Sequence, residues 1–370
     1  MDDAIYADES IYEYPMQQGG GNDGRPYSFG RPSSGGSKAA YPCKSYGQGR
    51  INPAYFYGVF DPNDMRRDVS ITMTGSNGKG VEKLIPFVPN SKAEGGGLTL
   101  NKWDENRQAN PWVAAQRKSG INGPYMRMSE VYLGYAEVCA ALGDVVTGKQ
   151  YLKTVRERSF PQGLANTDAF IASFGNDLVR AIIEERGFEY AGEGDRRWTL
   201  IRSGYLPEDI KRIKDMTKAM MDGLATKGYY EFENGNIISA YIWTKLVDAK
   251  TIYGHRLTAQ CPTDKVNDPV LYPGWRGQKD NWEEMGLNYG SSTPATNLAI
   301  KGLFEIVSEE EAASLESQGY AIDLVDYRDE YDKYLFWDYD YVSAPIYLWP
   351  FTPNVMAAGG FTNGYGFKQE

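Results

Sequence analysis

Between Met128 and Leu142 the residues Met128, Val131, Tyr132, Tyr135, Val138, Cys139 and Leu142 recur at steps of three and four. That spacing lines one face of an α-helix, and Gly143 supplies the stop. After a short turn, residues 149–159 repeat the pattern with Tyr151, Leu152 and Val155 on one face, and Pro161 closes the segment. Two helices joined by so short a connection must lie antiparallel, so the chain contains a helical hairpin.

The rest of the chain is read around that hairpin. A third helix is expected after Asn176 or Asp177 as N-cap, with Leu178, Ile182 and Ile183 on one side and Arg180, Glu184, Glu185 and Arg186 on the other. Residues 208–224 look helical, 227–240 carry a hairpin signal at Asn234-Gly235, and 308–318 form a last helix. Residues 1–120 are rich in Gly, Pro, Ser and Asn, with short alternating runs at 10–14, 69–73 and 83–88 that predict strands between long loops. Residues 241–293 read as irregular. The expected fold is mainly α, made of helical hairpins of the size of a tetratricopeptide (TPR) repeat, with a large loop-rich portion and a few short strands.

Several function classes are excluded or disfavoured. The formal charge of −10, from 39 Lys and Arg against 49 Asp and Glu, repels a polyanion, so nucleic acid is not an expected partner. The one histidine, His255, cannot build a multi-imidazole zinc site, and without a nucleophile elbow it reads as a surface or strand-end residue. Cys43, Cys139 and Cys261 are odd in number and widely spaced, which suits neither a disulfide framework nor a metal knuckle; Cys139 lies on an apolar helix face and reads as core. The Gly-Ser stretches at 19–24, 33–37 and 95–97 lack the strand-turn-helix context of a phosphate loop. No run of about 18 apolar residues occurs, and the opening MDDAIYADESIYEYP has neither the basic nor the apolar region of a signal peptide.

Three segments, in order, resemble one family. PYMRMSEVYLGYAEVCAALGD followed by KQYLKTVRERS is similar to the helical pair of SusD/RagB proteins. IIEERGFEYAGEGDRRWTLIRSG resembles their next helix and turn, and YLWPFTPNVMAAGG with NGYGF resembles their closing segment. The opening SIYEYPMQ is similar to a strand that lies mid-chain in members, which implies that this chain corresponds to their C-terminal region. Members carry a lipoprotein leader and more helical hairpins ahead of it. Residues 1–370 are accordingly divided into a loop and short-strand segment (1–120), a helical hairpin core (121–225), a loop-rich ligand-binding excursion (226–340) and a closing segment (341–370). Thr199 stands where the family has Asp, and residues 357–360 replace its Asn-Pro, so a hydrogen bond and a turn are expected to differ.

The resemblance implies a cell-surface protein of the outer membrane, lipid-anchored through an N-terminal segment not present in this chain. Members bind glycans, or in some cases peptides, and deliver them to a SusC-like TonB-dependent transporter. No catalytic residue, cofactor or metal is expected. The charged residues of the matching segments, Arg127, Glu130, Glu137, Arg156, Glu185, Arg196 and Arg197, read as buried or interhelical salt bridges. Trp198 and Trp349 read as core.

Sugar rings offer apolar C–H faces that stack on aromatic rings and hydroxyls that pair with polar side chains, and 14% of this chain is aromatic. Within LYPGWRGQKDNWEEMGLNYG, the residues Tyr272, Trp275, Arg276, Asp280, Asn281, Trp282 and Tyr289 form the expected ligand-binding set, on a loop outside the shared segments. Trp103, Asp104, Asn106, Arg107 and Trp112 form a second, weaker cluster. The carboxylates Asp323, Asp326, Asp329, Glu330, Asp332, Asp338 and Asp340 lack the fixed loop of an EF-hand and read as a solvated acidic face. Two alternatives stay open: a glycoside hydrolase using two carboxylates, and a TPR-like peptide-binding scaffold.

Overall fold

The computed structural model describes residues 9–20, 30, 49, 51–76, 82–84, 98–103, 118–160, 163–248, 296–324 and 352–359. Elements are numbered along these residues.

Strand β1 (Ser10–Tyr14) pairs antiparallel with β6 (Gly123–Arg127), and β6 runs straight into the first helix of the hairpin. Between these strands in sequence lie α1 (Pro53–Gly58), α2 (Arg66–Ser70), the pair β2 (Ile71–Thr72) and β5 (Thr99–Leu100), and the pair β3 (Thr74–Ser76) and β4 (Glu82–Leu84). The run at 69–73, expected as a strand, is therefore split between a helix end and a strand.

The hairpin is α3 (Met128–Ala141) and α4 (Val145–Glu157). Gly143 takes φ 89°, and the Asp144 carboxylate caps α4 by accepting from the Thr147 N–H at 3.1 Å. The cap starts α4 four residues earlier than the expected 149. The two backbones approach closely at Gly148, where a Cβ would lie 3.0 Å from the Ala136 carbonyl oxygen. A short helix, α5 (Thr167–Ala172), follows, capped by Asn166; six residues are too few to show a period in the sequence.

Helix α6 (Leu178–Glu189) lies against both helices of the hairpin. Asp177 supplies its cap, accepting from Arg180 N–H at 3.0 Å. Leu133, Ala136, Leu152, Val155, Ala181 and Ile182 form the shared core. The opposite side of α6, expected to be its polar face, is buried too. Helices α7 (Asp195–Ser203) and α8 (Leu206–Lys227) complete the helical body, α7 being bounded by Gly194 and Gly204 in the left-handed conformation.

A second core gathers Phe56, Tyr57, Phe60, Phe188, Met220, Leu224, Phe232, Ile238 and Ile242 from α1, α6, α8 and the strands that follow. The hairpin expected at Asn234-Gly235 is β7 (Tyr229–Glu231) paired with β8 (Ile237–Ser239). Residues 241–248, expected to be irregular, form β9 (Tyr241–Asp248), the central strand between β10 (Thr296–Lys301) and β11 (Ala321–Leu324). Both neighbours are distant in sequence, and adjacent Ile242 and Trp243 are both buried, so no local alternation marked the strand. Helix α9 (Glu309–Ser317) starts with a capping box between Ser308 and Glu311, and α10 (Pro353–Gly359) lies in the closing segment. Among the described residues no helix is long and apolar enough to cross a membrane.

Ile182 is wholly buried where the hairpin meets α6. Ile182→Ala is expected to cost about 2–5 kcal/mol, read as a lower urea midpoint with an unchanged slope.

Candidate functional site

The described charge chemistry is concentrated on α6. Within the segment IIEERGFEY, the side chains of Glu184, Glu185, Arg186 and Glu189 are all buried. A buried charge is tolerated only when paired, and each of these is. Glu185 receives Arg66 at 2.6 Å and Arg156 at 2.9 Å. Glu189 receives Arg66 at 3.0 Å together with Arg127 and Arg158. Glu184 meets Arg196 at 2.8 Å and Arg212 at 3.1 Å, and both arginines also hold Asp209 of α8. Arg186 points the other way, to Glu130 of α3 at 2.8 Å and Asp195 of α7 at 2.6 Å. Arg202 of α7 adds an ion pair to Glu137 of α3.

The network extends to the loops. Asp64 clamps Arg66 at 2.6 Å, Arg127 reaches Glu193 at 2.8 Å, Lys102 binds Glu193, and Glu9 bridges Arg127 and Arg158. Gly187 makes room for one spoke, because a Cβ there would collide with the Tyr55 hydroxyl and the Arg196 guanidinium. Thr199, at the family's Asp position, accepts from Arg186 at 3.1 Å and donates to Asp195 at 2.8 Å, so Asp195 supplies the charge beside this hydroxyl.

Burial alone would push the Glu189 carboxyl up, but Arg127, Arg66, Arg158 and Lys102 together hold it well below the usual carboxylate range. Glu193 is likewise lowered against its burial by Lys102 and Arg127, and Asp209 by Arg196 and Arg212. Burial lowers the Lys102 amine, and Glu193 opposes that. General acid catalysis needs a carboxyl raised toward neutrality. Every displaced carboxyl among the described residues is displaced downward. Of the charged residues of the matching segments, Arg127, Glu130, Glu137, Arg156, Glu185 and Arg196 form ion pairs here.

The expected ligand set, Tyr272, Trp275, Arg276, Asp280, Asn281, Trp282 and Tyr289, lies outside the described residues, as do His255, Trp349, Cys43 and Cys261. Of the second cluster, Trp103 is described and is only 3% exposed, which makes it core; Asp104, Asn106, Arg107 and Trp112 lie outside the described residues. Asp326, Asp329, Glu330, Asp332, Asp338 and Asp340 also lie outside them, and of Asp323 only the backbone, in β11, is described. Cys139 is buried on α3, as expected. Trp198, expected in the core, is 52% exposed, because Leu200 takes the inward position of α7. Among the described residues no group of three or more His, Cys, Asp or Glu is placed to hold a metal.

The sequence reasoning passed over the tyrosines of the first ladder. Tyr12, Tyr14 and Tyr125 are 62%, 53% and 68% exposed, and the rings of Tyr12 and Tyr125 are 5.6 Å apart. The alternation of SIYEY, which places Tyr12 and Tyr14 on one strand face, was the available signal.

The sequence profile of the SusD family matches residues 5–273. The SusD-like protein P25 of Formosa agariphila is 28% identical over 160 residues, which are 43% of this chain and 26% of that protein. A SusD superfamily protein from Bacteroides vulgatus is 17% identical, with a TM-score of 0.40 over 59% of this chain and 46% of its own. Surface glycan-binding protein A from Bacteroides thetaiotaomicron, solved in complex with laminarihexaose, is 18% identical, with a TM-score of 0.34 over 54% of this chain and 44% of its own. The chain thus spans about a quarter of the curated relative's length and less than half of either solved chain.

Glu189, Glu193 and Asp209 take up protons less readily folded than unfolded, so their contribution to stability is complete above the ordinary carboxylate values, about pH 4, and is lost as pH falls toward the folded values. Denaturant midpoints should therefore begin to drop below about pH 5 and keep dropping as pH falls toward the folded values. Glu189→Gln should lower stability at pH 7 by about 3–5 kcal/mol and flatten that dependence. A pH profile as steep as that of the parent chain would contradict the assignment.

Proposed function

The chain belongs to the SusD family, and from that membership we propose that it is a cell-surface glycan-binding protein. It captures an oligo- or polysaccharide and passes it to a SusC-like TonB-dependent transporter of the outer membrane, to which a lipid anchor holds the full protein close. The observation that carries this proposal is the family match over residues 5–273.

The chemistry of the chain agrees with a binder. The carboxylates of Glu189, Glu193 and Asp209 are held below their usual range by arginine partners, the opposite of what glycoside hydrolysis asks of its acid. Its excess of tyrosine and tryptophan supplies rings with apolar faces and polar edges. The proposed contacts are Tyr272, Trp275, Trp282 and Tyr289 as stacking surfaces, with Arg276, Asp280 and Asn281 pairing with sugar hydroxyls.

A panel of oligosaccharides tests the proposal: binding without release of shorter sugars is expected. Shortened products would point to a hydrolase, and failure of every glycan while peptides bind would point to a peptide scaffold. Trp275→Ala with Trp282→Ala is expected to weaken glycan affinity by about tenfold or more, or ~1.4 kcal/mol, without lowering the thermal midpoint. A fall in thermal stability would instead make these two rings part of the core.

A further inference from the structure

The β1–β6 ladder exposes three tyrosines, Tyr12, Tyr14 and Tyr125. Its register pairs Ser10 with Arg127, Tyr12 with Met126, Glu13 with Pro124 and Tyr14 with Gly123, with an irregularity on each side of Tyr12. The ring of Tyr12 meets that of Tyr125, the neighbour of Met126, at 5.6 Å, tilted by 45°. Tyr14 follows two residues on, on the same strand face as Tyr12, about 7 Å further along the strand. All three rings are more than half exposed, and their hydroxyls make no hydrogen bond with the described residues. A paired aromatic surface left to solvent is unusual for a residue type that packs well in cores, and irregular strand pairing often re-aims side chains beside binding sites.

The ladder is held still at both ends. At its base Arg127 enters the α6 network through Glu189 and Glu193, Glu9 bonds Arg127 and Arg158, and the Met128 N–H donates to the Glu9 carbonyl at 2.7 Å. At its tip Asn122 donates to Glu13 at 2.8 Å and accepts from the Met16 N–H at 2.9 Å. Rings presented on a fixed frame lose little conformational freedom when a ligand stacks on them.

We propose that Tyr12, Tyr125 and Tyr14 form a saccharide-stacking surface, made of residues other than those proposed within 271–290. This rests on the glycan-binding reading of the chain. The choice of occupant follows from the chemistry. The three side chains offer flat apolar faces with a hydroxyl at each tip, which match the C–H faces and hydroxyls of a neutral sugar. The described charged groups at either end of the ladder, Arg127, Glu9, Glu13 and Arg158, are already engaged, and the chain is acidic, so a charged ligand finds no unspent partner among them. The length from Tyr12 to Tyr14 accommodates more than one ring of an oligosaccharide.

The test is calorimetric titration of the 370-residue chain with neutral oligosaccharides, laminarihexaose, maltohexaose and mannohexaose among them. Tyr12→Ala with Tyr125→Ala is compared with Tyr12→Phe with Tyr125→Phe, and with Trp275→Ala and Trp282→Ala. The expected result is a loss of about tenfold or more in affinity for the alanine pair, recovery in the phenylalanine pair, and an unchanged thermal midpoint in both. If the parent binds a glycan and the alanine pair binds it equally well, or loses binding only through a lowered thermal midpoint, the ladder is not a stacking surface, while the glycan-binding reading stands. If the parent binds none of the glycans, both fall together.

Discussion

Arginine–carboxylate pairing around one buried helix is the interaction on which the described structure depends. Helix α6 carries Glu184, Glu185, Arg186 and Glu189 into an interior that admits no unpaired charge. Each must find its partner, and the partners sit on different elements: Arg66 on α2, Arg127 on β6, Glu130 on α3, Arg156 on α4, Arg196 on α7 and Arg212 on α8. A wrong docking of any of these would strand a charge. The pairs therefore specify how the elements meet, while the apolar contacts of Leu133, Ala136, Leu152 and Ile182 supply the driving force.

The same network explains what the helical body is suited to do. Carboxylates surrounded by guanidinium groups are fixed in charge and position, which makes a stiff frame and a poor source of protons. In the proposed binder, recognition falls to side chains that the frame presents outward. Glu9 and Arg127 carry the rigidity of the interior to the base of the tyrosine ladder, so a surface feature is positioned by buried electrostatics.

The hairpin α3–α4, the start of α6 after Asn176 or Asp177, the β7–β8 turn and helix α9 were legible in the sequence, because each is set by residues within a few positions of one another. Strand β9 was not, since its partners β10 and β11 are far along the chain and both of its faces are covered near Trp243. The ion pairs were legible as a class but not as a map: the charged residues of the matching segments read as salt bridges, yet Arg66, Lys102 and Glu9 joined from segments with no distinguishing pattern. Trp198 misled because a large apolar residue in a shared segment suggests core, whereas its helix turns Leu200 inward. The tyrosine ladder was passed over because a five-residue strand shows which side chains share a face but not whether that face is covered.

The central claim is that a rigid, ion-paired helical frame leaves saccharide recognition to surface aromatic groups. Hydrogen–deuterium exchange with and without a bound oligosaccharide tests it most directly. The account predicts that the amides of α6 exchange among the slowest in the chain and do not change on binding, while new protection falls on residues 271–290, on the β1–β6 ladder, or on both. Ligand-dependent protection centred on α6 and its carboxylates would contradict it.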